Sequence, residues 1–279
     1  MALSFSVFLI LYNLSIVLAV GAGTLIFVRF RERRLADVLA SARRNLHIIA
    51  VLVVIPVFVL TEKWFAPAYA NLDYTPLIYS FFGEVPAVVQ STLLNPAFTG
   101  FMEFMYVYGF TFIIYFTPYL LIVNSHDALL KKYAAIIVLN YMVLVPFYIL
   151  FPVHTPAYSG LTSVSPLLYN NQYFGRMVTG IDPLDNCFPS GHISLMLSTL
   201  LIIWNAKSED ADNYGKYAYF VLISFLLIAV SILYLGIHWP ADIIGGIVLA
   251  YGAYYTVEKG YVFRVTDFLS GLVRRSTED

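Results

Sequence analysis

Two stretches of the chain hold residue types that can do acid, base and nucleophilic chemistry. In "CFPSGHISLML", residues 187 to 197, Pro189, Ser190, Gly191 and His192 stand directly before an apolar run. Serine is a preferred N-cap and glycine lets another group approach the first turn, so the pattern predicts a helix start. Free backbone N–H groups and the positive end of the helix dipole make such a start a site for anions. In "SILYLGIHWPADIIGGIVLAY", residues 231 to 251, an apolar run ends at His238, Pro240 can open a new helix, and Asp242 follows four residues after the histidine. An i, i+4 pair on one helix face lets the carboxylate accept from one imidazole nitrogen and leaves the other free to react. Gly245 and Gly246 then allow a neighbouring helix to pack closely. Taken singly, each stretch also suits an ordinary capped helix, with Asp242 at a water interface. An ionisable group this close to an apolar run is costly, which favours a functional role.

The elements that must position these residues are membrane helices. Of 279 residues, 60% are hydrophobic and 12% charged, with mean hydropathy +0.77, far from the make-up of a soluble domain. Strands that cross a bilayer alternate in polarity, whereas unbroken apolar runs of about 20 residues suit helices. The expected fold is therefore all-α, a polytopic transmembrane helical bundle. Seven runs are predicted to span: 3 to 28, 46 to 61, 101 to 123, 133 to 152, 189 to 206, 217 to 237 and 240 to 257. Residues 1 to 28 lack a basic segment of the signal-peptide kind and read as the first span.

Orientation follows from the Lys and Arg residues, which are retained in the cytoplasm. The connections 29 to 45, 124 to 132 and 207 to 216 and the tail from 258 hold 14 of the 16. Only Lys63 and Arg176 fall on the other side. The amino terminus and the long connections 62 to 100 and 153 to 188 are thus expected outside, and the carboxyl terminus inside. His154, His192 and His238 then share the outer face, away from His47 and His126. Residues 1–100 form the first spans and an outer connection, 101–257 a catalytic membrane core, and 258–279 a cytoplasmic tail. The outer connections, rich in aromatics and proline, suit interfacial caps with short amphipathic helices. The basic stretch "RFRERRLADVLASARRN" reads as a topology determinant touching anionic lipid. A single cysteine, Cys187, excludes an internal disulfide, and no Cys/His spacing suggests a metal. No cofactor is expected, and no arginine-rich face points to nucleic acid.

On these residues the chain resembles the type 2 phosphatidic acid phosphatase superfamily, membrane enzymes that act on lipid phosphates. "FPSGH" and "YLGIHWPADIIGG" resemble its second and third signatures, within a likeness running over residues 146 to 251. The resemblance implies a six-helix core, here with one extra amino-terminal span, and a metal-free reaction. It implies that His238 attacks phosphorus to form a phosphohistidine while Asp242 orients it. His192 would protonate the leaving alcohol and deprotonate the incoming one, and Ser190 with the Gly191 amide would hold phosphate oxygens. Two imidazoles, a carboxylate and a helix N-terminus are also the set that phosphoryl transfer requires on chemical grounds.

Departures from the family pattern bear on the substrate. Ile232 follows Ser231 where the third signature has arginine, and "PFYILFPVHTPAY" lacks the lysine and Arg-Pro pair of the first. A phosphate monoester carries nearly two negative charges and a diester one, so missing cations penalise the monoester more. "FPVHTPAY" is similar to a stretch of the inositol phosphorylceramide synthase branch, which handles phosphodiester lipids. The expected reaction is transfer of an inositol-phosphate-like head group from a membrane phospholipid to an alcohol. The alternative is a lipid phosphate or polyprenyl diphosphate phosphatase, with water as acceptor at the same residues. Arg176, 16 residues before His192, is a candidate phosphate clamp or an interfacial anchor. His154 is a candidate head-group contact, and Glu103 reads as an interfacial cap or pair. A transporter with a proton relay would spread its polar residues through the membrane depth, whereas these gather at one face.

Overall fold

A computed structural model describes residues 4–29, 35–65, 72–181 and 183–261. The predicted tail beyond Tyr261 and residues 30–34 of the basic connection lie outside the described residues. Helix α1, Phe5–Phe27, is capped by Ser4, whose hydroxyl accepts from Val7 N–H. Helix α2, Leu35–Arg44, is amphipathic and α3, Leu46–Val54, is apolar. Pro56 has no N–H to continue the ladder, and the chain tightens to a 3-10 helix over Ile55–Thr61 before α4, Glu62–Phe65. Helices α5, Thr75–Phe82, and α6, Val85–Leu93, each open with a proline, as short capping helices do.

The core begins at α7, Pro96–Phe104, capped by Asn95. It widens into a π turn, Met105–Gly109, and continues as α8, Phe110–Val123. Helix α9, Asp127–Leu150, runs back. After it come the short α10, Leu167–Asn170, and α11, Phe174–Ile181. The bundle closes with α12, Gly191–Glu209, α13, Ala211–Tyr234, and α14, Pro240–Glu258. No strand occurs among the described residues; the one isolated bridge joins Val153 and Asn186.

Helix passes through all seven predicted runs, but apolarity alone marks fewer of them as spans. Phe5–Phe27, Pro96–Val123, Asp127–Leu150 and Ala211–Tyr234 are long and apolar enough to cross a membrane. The pair Leu35–Arg44 and Leu46–Phe58, bent by 65°, makes a fifth if counted together. Helices α12 and α14, 19 residues each, are not among these; α12 ends in a polar stretch with Lys207 and Glu209, and α14 carries Asp242 in its first turn and Glu258 at its end. Helix α12 is the central rod, with Ser194, Ser198 and Thr199 wholly buried beside its aliphatic residues. Asn140 of α9 donates to Ser198 Oγ at 3.1 Å, a contact that registers two helices where apolar packing alone is not selective.

Charged pairs gather at the end opposite His192 and His238. Asp127 accepts from Ser41, Arg44 and Asn45 at 2.9, 3.0 and 2.8 Å, tying the α2–α3 bend to the start of α9. Lys132 pairs with Glu258 at 2.9 Å and Arg29 with Asp212 at 3.1 Å.

Candidate active site

Three segments meet at the other end of the bundle, and backbone hydrogen bonds lace them together. Residues 152–155, following α9, lie beside 184–187: Val153 N donates to Asp185 O, Thr155 N to Leu184 O, and Cys187 N to Val153 O. The third segment, between α13 and α14, is tied in by Trp239, whose fully buried indole N–H donates to His154 O at 2.9 Å. Cys187 Sγ reaches Ile237 O at 3.4 Å. The "FPVHT" stretch thus supports both histidine segments through its backbone.

Ser190 is the N-cap of α12, its hydroxyl accepting from Ile193 N–H, and the helix begins at Gly191 as the sequence predicts. Ser190 N donates to Asp242 O at 2.9 Å, which sets the start of α12 against the start of α14. The glycine pair of α14 makes this approach possible. A Cβ on Gly246 would lie 2.7 Å from Ser190 O, and one on Gly245 would lie 2.8 Å from the Phe188 ring.

His238 and Asp242 form a pair, but one feature differs from the sequence reading. His238 is not on the face of a helix; it precedes the N-cap Trp239, and Asp242 is the third residue of α14. Pro240 starts the helix two residues too late to include the histidine, so the carboxylate reaches back instead. Asp242 Oδ2 accepts from Trp239 N–H at 2.7 Å and from His238 Nδ1 at 3.1 Å. His238 is 3% exposed and Asp242 fully buried, so the pair is screened little by water. His238 Nε2 makes no hydrogen bond of ordinary geometry, with the Cys187 carbonyl a looser neighbour of the ring.

His192 lies across from this pair, its ring centroid 6.1 Å from that of His238. The imidazole is half-buried between Tyr106 and Phe110, each with ring centroid 4.5 Å away. Tyr148 adds a hydroxyl at the same place: it donates to Pro189 O at 3.4 Å, and a Cβ on Gly191 would lie 2.9 Å from it. None of these three aromatics was singled out by the sequence. Tyr148 sits inside the cation-poor "PFYILFP" stretch, and nothing in the sequence pairs it with Gly191, 43 residues further on.

The remaining predicted contacts are placed differently from one another. His154 is brought beside Trp239 by its backbone, its N–H taking Thr75 Oγ1 as acceptor at 2.9 Å. Arg176 lies on exposed α11 with its guanidinium 4.3 Å over the Phe5 ring, an aromatic anchor on α1. Glu103 is buried and accepts from Asn171 Nδ2 at 3.0 Å, a pair between α7 and the residue that follows α10. Ile232 is fully buried, and its carbonyl accepts from His238 N–H at 3.0 Å.

Cys187, His238 and Asp242 bring one donor atom each within 4.8 Å of one another, a grouping that sequence spacing did not suggest. Two of these donors, His238 Nδ1 and Asp242 Oδ2, are already joined to each other by a hydrogen bond at 3.1 Å. Asp242 Oδ2 already accepts two hydrogen bonds. The arrangement fits a hydrogen-bonded His–Asp pair better than a metal centre.

Residues 131–261, from the first turns of α9 to just past α14, match the family model of the PAP2 superfamily. Members of that superfamily are phosphatases or phosphotransferases, and the match over this part of the chain is consistent with an enzyme of that kind. No curated protein and no solved structure matches the chain.

Proposed function

We propose that the protein moves a phospho-head group from a phosphodiester lipid to an alcohol acceptor through a phosphohistidine at His238. The observation that carries this reading is the buried His238–Asp242 pair, with an unbonded Nε2, facing His192 at the N-terminus of α12. In the first step His238 Nε2 attacks phosphorus, the bond from phosphorus to the lipid alcohol breaks, and His192 gives its proton to the departing oxygen. Asp242 holds the Nδ1–H and balances the positive charge that grows on the ring. The Ser190 hydroxyl and the Gly191 N–H, at the positive end of α12, hold the non-bridging oxygens. In the second step His192 takes the proton of the acceptor alcohol as its oxygen bonds to phosphorus, and the phosphorus–nitrogen bond breaks.

A singly charged diester is favoured by the want of cations. Ile232 is a buried aliphatic residue where the third signature carries arginine, and Arg176 is engaged over Phe5. The similarity of "FPVHTPAY" to the inositol phosphorylceramide synthase branch supports an inositol-phosphate-like head group. For topology we propose seven crossings, a six-helix core plus α1, with the amino terminus and the site outside. The support is the basic residues of the connections 29 to 45, 124 to 132 and 207 to 216.

The test is product analysis of purified protein given labelled phosphatidylinositol or phosphatidic acid, each with and without an acceptor alcohol. The expected product is the head-group phosphate on the acceptor, formed from phosphatidylinositol only when acceptor is present. Rapid release of free phosphate from phosphatidic acid, with no head-group transfer under any condition, would establish the phosphatase instead.

A further inference from the structure

We infer that Tyr106 and Phe110 form an aromatic clamp that positions His192, and that α1 holds the clamp in place through Tyr12. The inference rests on the proposed role of His192 as acid and base, and extends it to residues outside the matched region.

The geometry begins with the π turn, Met105–Gly109. Such a turn adds a residue to the helical repeat and is found disproportionately at functional sites. Here it delivers two rings to one imidazole: Tyr106 stacks on His192 at 4.5 Å with an interplanar angle of 30°, and Phe110 lies against it at 4.5 Å and 49°. Tyr106 is 3% exposed, so its ring is fixed by packing. Among the described residues the His192 ring makes no hydrogen bond. Aromatic faces alone hold it in plane, leaving both nitrogens for the reaction, and they stabilise the ring when it carries a proton.

A π turn disturbs the regular carbonyl ladder, and α1 is fastened at that spot. Tyr12 of α1 hydrogen bonds with Thr111 Oγ1 at 2.9 Å and donates to Val107 O at 3.4 Å, while its ring packs on Tyr108 at 4.9 Å. Phe8, one turn earlier, packs on Tyr173 and Phe174 of the outer cap at 5.0 and 5.8 Å. The helix added to the core therefore braces the segment that sets the acid/base residue. Tyr12, Tyr106 and Phe110 are positioning residues; none is assigned a contact with substrate.

The test combines a geometric readout with a kinetic one. With five histidines in the chain, carbon-13 labelling of histidine gives a spectrum in which His192 is assigned by its loss in His192→Gln. Two rings this close should place its ring proton well upfield. The shift should collapse in Tyr106→Leu and Phe110→Leu, persist in Tyr106→Phe, and weaken in Tyr12→Phe, which removes one oxygen and spares the fold. Kinetics compare phosphatidylinositol with an analogue in which p-nitrophenol replaces the lipid alcohol. A misplaced acid should lower kcat about tenfold or more on the lipid and leave the activated ester, which needs no proton, nearly unchanged. Equal losses on both substrates, or an upfield shift that survives Tyr106→Leu and Phe110→Leu, would overturn the clamp. A wild-type chain that turns over neither substrate overturns the functional reading by itself, and the shift then decides the clamp.

Discussion

The chemistry rests on a small number of side chains whose identities leave little latitude. Removing the proposed nucleophile in His238→Ala should lower turnover by about a thousandfold or more, because no second ring stands in the same place. Asp242→Asn keeps the size but offers an amide to Nδ1 and favours the wrong tautomer; a loss of about a hundredfold or more in kcat, with little change in KM, is expected from steady-state kinetics. Cys187 lies within reach of both, yet Asp242 Oδ2 is already engaged by His238 Nδ1 and Trp239 N–H, which argues against a metal centre. Cys187→Ala should retain activity, and chelators should leave the rate unchanged; inhibition by a chelator, restored by added metal, would count against that reading. At this scale the sequence was informative, since the four-residue spacing of His238 and Asp242 and the order Pro-Ser-Gly-His are local patterns. It misplaced His238 on a helix because it could not show that Asp242 turns back to bond Trp239 N–H. It passed over Tyr106, Phe110 and Tyr148 because 44 Tyr and Phe residues (22 of each) hide the ones that matter, and their contacts span tens of residues.

Among the elements, the approach of α14 to α12 is the controlling contact. Gly246→Ala would place a methyl 2.7 Å from Ser190 O and 2.9 Å from Ile193 Cβ. The helices must then part or shift, which should cost about 1–3 kcal/mol and lower activity through the displaced Ser190. Gly252→Ala, in the same helix with nothing within 4 Å of the added carbon, is the control and should not be destabilising. Thermal unfolding in detergent, run beside an activity assay, separates the two. Helices were legible as unbroken apolar runs, and the capped start of α12 as Ser190 before Gly191. The bend between α2 and α3 and the π turn were not, because each depends on what the helix packs against. Asp127 draws the bend together from more than 80 residues away, and Tyr12 supports the turn from nearly a hundred.

For the molecule as a whole, His154, His192 and His238 lie at one end and the ion pairs of Arg29, Arg44 and Lys132 at the other. In a Cys187→Ala background, Ser159→Cys should react with an impermeant maleimide applied outside sealed cells, and Ser208→Cys only after permeabilisation. The reverse pattern would invert the proposed orientation. The proposed site joins distant parts of the chain, and its reaction turns on a phosphorylated intermediate at His238. Rapid quenching with a substrate labelled in its phosphate, followed by alkaline peptide mapping, measures it directly. Acid-labile label is expected on the peptide that holds His238, discharged by acceptor alcohol and absent from His238→Ala. Full turnover with no label on that peptide, or activity retained in His238→Ala, would contradict it.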